Sequence, residues 1–140
     1  MSSKKSFAQR NARVNRPQRD QVEFLPMAID EMVPRDHRCR IVWRFVESID
    51  LDPFYQDFRV SDSQAGRTGI SPEVLISLWL MATLDGISSA REINRRCQTD
   101  LIYRWICGGV SVNYHTISDF RTAHVEELSD ILTSAIASLI

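Results

Sequence analysis

The sequence is short of several things, and each shortage excludes something. Cys39, Cys97 and Cys107 are an odd number of cysteines spread along 140 residues, with no CxxC pair among them. A disulfide framework or a zinc site needs paired spacing, so the three read as reduced thiols of a cytosolic protein. No apolar run approaches the ~20 residues that span a bilayer. The longest, Val74 to Leu84, is interrupted by Ser77 and Thr83. The N-terminus is basic but has no apolar segment of the secretory kind. Neither a membrane partner nor a leader is expected. Net charge is nearly absent too, at −1, so bulk composition does not announce a nucleic-acid binder.

What is present is unevenly placed. Lys4, Lys5, Arg10, Arg13, Arg16 and Arg19 precede the first acid, Asp20. With six of the 17 basic residues in this arm, the remainder carries 11 basic residues against 18 acidic ones. Residues 1–22 read as a flexible cationic arm or a merely solvated tail, and 23–140 as one helical domain.

Within that domain the apolar period is helical throughout, and no stretch alternates with period two beside turn residues. The expected fold is all-α, with five to six helices. Asp36 is expected to cap a first helix carrying Ile41, Val42, Phe45, Val46 and Ile49. Asp52 and Pro53 open a short second one with Phe54, Tyr55 and Phe58 on its apolar side. Ser71-Pro72 starts a third, apolar almost all round and therefore central, which Gly86 stops. The turn "ISS" leads to a fourth helix opened by Ser89 and Glu92 as a capping box, which makes a helix-turn-helix-like pair. Thr99 or Asp100 caps "LIYRWIC", and Gly108-Gly109 ends it. Thr116, with Asp119 three positions on, is expected to open one long last helix bearing Ile117, Phe120, Leu128, Ile131, Leu132, Ala135, Ile136 and Leu139. The chain breaks off inside that apolar helix, which points to a longer parent protein.

Two sets of side chains are candidates for contact with DNA. On a helical wheel Ala90, Ile93 and Cys97 share one side of the fourth helix, and Arg91, Arg95 and Gln98 the other. Arg91 and Arg95 are like charges at i,i+4, which costs about 0.2–0.5 kcal/mol unless offset, and the sequence gives them no acid within the helix, whereas Arg96 has Glu92. With Asn94 and Gln98 beside them they suit a groove, since Arg pairs guanine and Asn or Gln adenine. A solvated polar face or ion pairs to other helices is the plainer reading. Arg40 and Arg44 are a second such pair, equally suited to phosphate or to internal salt bridges. Binding carried by these arginines and by Arg13 and Arg16 of the arm should weaken steeply with salt.

The stretch "VNYHTISDFRTAH", 112–124, resembles an active site in composition alone. On a helix from Thr116, Asp119 and His124 diverge by about 140°, so no Ser-His-Asp relay forms. His115 and His124 diverge too, and no metal ligand set results. The residues left for DNA contact are Asn113, His115 and Arg121. No residue is assigned a catalytic or metal-binding role.

Three segments, "PRDHRCRIVWRFVESIDLDPFYQDF", "GRTGISPEVLISLWLMATLDGISSAREINRRCQTDLIYRWICGG" and "NYHTISDFRTAH", resemble in order and spacing the N-terminal domain of bacterial DDE-type insertion-sequence transposases. Thr68, Ile70 and Tyr114 depart from the residues usual there. The resemblance, over about residues 24–127, implies a cytoplasmic, nucleoid-associated module that recognises the terminal inverted repeats of a mobile element in double-stranded DNA. It implies a separate catalytic domain whose carboxylates bind Mg2+ or Mn2+, and no cofactor or catalysis in the residues present. A helical oligomerisation or interaction module, docking on the catalytic domain or a second protomer, is the alternative. An interfering truncated product belongs to the same reading.

Overall fold

The structure, a computed structural model, describes residues 15–56 and 69–139, without the side chain of Leu139. Among these the chain is helical with no strand, as expected. Arg13, Phe58, Thr68 and most of the polar loop before Ile70 lie outside the described residues.

Residues 15–28 run without helix and exposed. A 3-10 turn, Ile29–Met32, follows, and Val33 is the first residue of the core. Helix α1 spans Arg38–Ser48 and a short helical segment covers 52–56. Then come α2, Pro72–Leu84; α3, Ala90–Thr99; α4, Leu101–Cys107; α5, Tyr114–Ala123; and α6, Val125–Leu139.

Helix α2 is the axis of the domain. Ser71 accepts from the Val74 N–H and Pro72 sits in the first turn, where its missing N–H costs nothing. Every residue from Val74 to Ala82 is buried, as near-uniform apolarity demands. Its end is a Schellman turn: Gly86 takes φ +75°, its N–H reaches Thr83 O, and the Ile87 N–H reaches Ala82 O. Helices α1, α4 and α6 pack on α2, while α3 lies chiefly against α4 and α5. Helices α2 and α3 follow one another across a short turn, but α3 packs mainly on the helices that follow it.

Polar ties cross the core at two points. Asp85, ending α2, receives Arg38 from α1 and the Tyr103 hydroxyl from α4 at 2.7 Å. Burial, then that carboxylate, push the Tyr103 phenol well above its ordinary range. Asp30, in the 3-10 turn, receives Arg40 and Trp105.

Several local expectations are corrected. His37, not Asp36, caps α1, its Nδ1 accepting from Cys39 N at 3.0 Å. The Ser89 hydroxyl caps α3, but the Glu92 carboxylate turns to Arg95 and Arg96 instead of completing a capping box. Of the two caps expected for α4, Thr99 or Asp100, it is Asp100 that serves. Asn113, not Thr116, caps α5, accepting from Thr116 N at 3.0 Å, so His115 lies inside the helix and Asp119 beyond its first turn. The long last helix is two helices, broken at His124 with φ −129° and ψ 42°. There the imidazole sits 4.8 Å from Phe54 and 4.9 Å from Phe120, ring centre to ring centre. Ile117, Phe120, His124, Leu128 and Ala135 keep helical spacing across the break, so periodicity does not reveal it.

Candidate nucleic-acid interface

The outward face of α3 exists as the wheel places it. Ala90 and Ile93 are buried, Cys97 partly so, and Arg91, Arg95 and Gln98 are exposed. Arg91 and Gln98 are seven positions apart, about 10 Å of helix. Helix α5 joins this face at its N-terminal end. The Arg91 guanidinium lies 4.5 Å from the centre of the Tyr114 ring and its Nη2 is 3.5 Å from the Tyr114 hydroxyl. Tyr114 in turn meets the exposed His115, ring centres 4.0 Å apart. At the other end Gln98 shares a groove with the exposed Arg104 of α4.

Arg95 is not uncompensated. Its Nε and Nη2 hold both oxygens of Glu92 at 2.9 and 2.6 Å, and Arg96 shares that carboxylate at 3.2 Å. The sequence reading counts i,i+4 pairs and so misses the acid three residues before Arg95. The two guanidinium groups hold the Glu92 carboxyl down to about 2. Asn94 is half-buried, and its Oδ1 faces inward without a hydrogen-bond partner among the described residues. Only the rest of its amide is available to a ligand.

The remaining candidates scatter. Arg40 is inside the fold: its guanidinium holds Asp30 Oδ1 and the carbonyls of Asp30 and Val33, each at 2.7 Å, and Pro34 O at 2.9 Å. It also lies 5.0 Å from the Trp105 ring centre. Four of its five N–H donors are spent, and it acts as a cationic cap for the carbonyls that end the 3-10 turn. Arg44 is exposed on α1, with no ion-pair partner among the described residues, but α1 packs on α2 and α4 rather than α3. Arg121 donates to Ser88 O at 2.9 Å and covers the Trp79 ring at 4.3 Å, bolting α5 to the turn before α3. Asn113 is exposed, its side chain engaged in capping. Arg16 lies in the exposed leg ahead of the domain.

Two contributors escape the sequence reading. Tyr114 figures there only as a departure from the residue usual in the resembled family, yet its ring lies under the Arg91 guanidinium. Arg104 could have been found by placing α4 on its own wheel, where no acid lies within a turn of it except Asp100, which serves as cap. No three His, Cys, Asp or Glu side chains are grouped to hold a metal, and no helix is long and apolar enough to cross a membrane, among the described residues.

Neither the curated proteins nor the solved structures compared with this chain contain a match. A family model described as "Transposase domain (DUF772)" matches residues 27–123, from just before the 3-10 turn through α5, and so includes the whole α3–α5 face. On a match of that extent, the chain belongs to the DUF772 transposase-domain family.

Proposed function

We propose that this domain is the end-recognition module of a transposase: it binds double-stranded DNA at the terminal inverted repeats of a mobile element and performs no catalysis itself. The parent on this reading is a bacterial DDE-type insertion-sequence enzyme with the domain at its N-terminus. Strand transfer with Mg2+ or Mn2+ belongs to a separate domain.

The observation that carries the reading is the row Arg91, Arg95 and Gln98 on one exposed face, extended by His115 at one end and Arg104 at the other. About 10 Å of helix covers roughly three base steps at 3.4 Å each. That length suits one helix laid in a major groove. Arg16 and the rest of the cationic arm would supply phosphate contact beside it.

Gel-shift titration of the protein against duplexes taken from element ends tests this. Arg91→Ala with Arg95→Ala should weaken binding roughly 10–100-fold, the loss of two arginine contacts, and flatten the plot of log affinity against log salt by about 2. Identical titrations of wild type and double variant at low salt would refute the assignment.

A second reading, an interaction module for the catalytic domain or another protomer, has its own observation. Phe24 is 95% exposed, and Val22, Leu25 and Met27 are exposed beside it. The apolar stripe of α6 supports it less than the sequence implies, because Leu128 and Ala135 are already buried. Light scattering that shows a dimer abolished by Phe24→Ser with Leu25→Ser would favour this reading, and a monomer throughout would remove it.

A further inference from the structure

Tyr114 and His115 are neighbours in sequence, and their rings meet, with centres 4.0 Å apart and planes inclined by 32°. Consecutive helical positions diverge by about 100° and do not ordinarily face each other. These two are the first residues of α5, immediately after its cap Asn113. Helical side chains lean toward the N-terminus, and at the first turn no preceding turn of the same helix lies in their way. The rings are therefore free to come together past the helix end.

The pair is backed from α3. The Arg91 guanidinium lies over the Tyr114 ring, 4.5 Å from its centre, so guanidinium, phenol and imidazole follow one another in contact. Tyr114, in the middle, is half-buried, and His115 is exposed. Among the described residues no side-chain hydrogen bond, ion pair or second ring contact engages the imidazole.

We propose that the His115 ring is a stacking plate for an unpaired DNA base at the end of the α3 row, an inference that rests on the reading of this face as a duplex-binding surface. Within a duplex both faces of a base are covered by its neighbours, and a protein reaches only edges and backbone. A base that has lost its neighbour, at a frayed end or in a single-stranded extension, has a face to give to an aromatic ring. Arg91 and Tyr114 hold the plate from behind, so less freedom is lost when a base settles on it. Stacking of this kind tolerates any base. It would thus add affinity for a duplex-to-single-strand junction without reading sequence, unlike the row from Arg91 to Gln98.

The test measures binding of the full chain to element-end duplexes that are blunt, extended on either strand by two thymidines, or extended by two abasic residues. The junction is moved along the site one base pair at a time. Abasic extensions carry the same phosphates and no ring, so they separate stacking from charge. At one junction the thymidine extension should bind about fivefold or more tighter than the abasic one, the yield of a single stacked base. His115→Ala should bring that ratio to one, and His115→Phe should keep it. A 5-iodouracil in the extension should cross-link on irradiation to His115, within the tryptic peptide 105–121. Should a variant fail to fold, the ratio and the cross-link in wild type decide alone. Equal affinity for thymidine and abasic extensions at every junction, a ratio that survives in His115→Ala, or a cross-link elsewhere would overturn the proposal and leave duplex recognition standing. Failure to bind any of the duplexes would overturn both.

Discussion

Arg40 and Trp105 hold the same oxygen of Asp30: Nη1 of the arginine lies 2.7 Å and Nε1 of the indole 2.9 Å from Oδ1. The carboxylate is kept below its usual range by these bonds, Trp105's first. Three segments distant in sequence are thereby joined where the exposed leg enters the domain. Removing the cation leaves three carbonyls without this donor and the carboxylate with the Trp105 indole, so Arg40→Ala should clearly lower the midpoint of urea unfolding. Arg44→Ala, an exposed change, should stay within about 0.5 kcal/mol. Equal effects would mean that the tie contributes nothing.

Ser77 points the other way. It lies fully buried in the middle of α2, and its Oγ has no hydrogen-bond partner among the described residues. Alanine removes that hydroxyl, keeps nearly the same volume and has the higher helix propensity. Ser77→Ala should therefore stabilise the domain by about 1 kcal/mol, measurable as a raised melting temperature. A loss of stability would show that the hydroxyl is paired in solution.

Acid should act through Glu92. Its carboxyl is lowered in the folded chain to about 2, from an ordinary 4.5, by the bonds from Arg95 and then Arg96. The folded state thus binds the proton less readily than the unfolded one. The contribution of Glu92 to stability is complete above pH 4.5 and is lost as pH falls towards 2. Melting temperatures taken across that window should decline less steeply for Glu92→Gln than for wild type. Parallel curves would show that the ion pairs are not populated in solution.

Tyr114 should matter to DNA through Arg91. Phenylalanine keeps the ring under the guanidinium and loses only a long, 3.5 Å contact, so Tyr114→Phe should bind like wild type. Tyr114→Ala frees Arg91 and should weaken the gel shift severalfold, roughly 0.5–1 kcal/mol for an exposed cation–π pair, with helical content unchanged by circular dichroism. Binding unaffected by the alanine variant would separate Arg91's anchoring from any recognition it performs.

Much of the fold was legible because the sequence writes its helix boundaries in short-range chemistry. Ser71-Pro72, Gly86, Ser89 and Gly108 each act within a few residues, and each ends or begins a helix where expected. What the sequence concealed depends on distant partners. Arg40 shows a basic residue at i,i+4 from Arg44, and nothing local reveals that Asp30 and the carbonyls of a 3-10 turn enclose it. Arg121 was left for DNA contact, but Ser88 and Trp79, both more than 30 residues earlier, engage it. The kink at His124 escaped for a different reason: the helix turns without interrupting its apolar period. The α3 face was readable because amphipathic burial is itself a periodic property, though the partners of Arg95 and Arg91 were not.

The carboxylate of Glu92 sits among the very cations offered to a phosphate backbone. On the proposed reading this makes the face a poor ligand for DNA in general. Arg95 arrives already straightened, so placing it against a base edge costs little rotamer freedom, yet any phosphate approaching it also meets a negative charge. A transposase must search a genome that offers on the order of a million or more irrelevant sites. A built-in anion that lowers affinity for all of them, while leaving a pre-aimed guanidinium for the correct one, shortens the time spent bound in the wrong place. Glu92→Gln should accordingly bind random-sequence duplex more tightly and discriminate less.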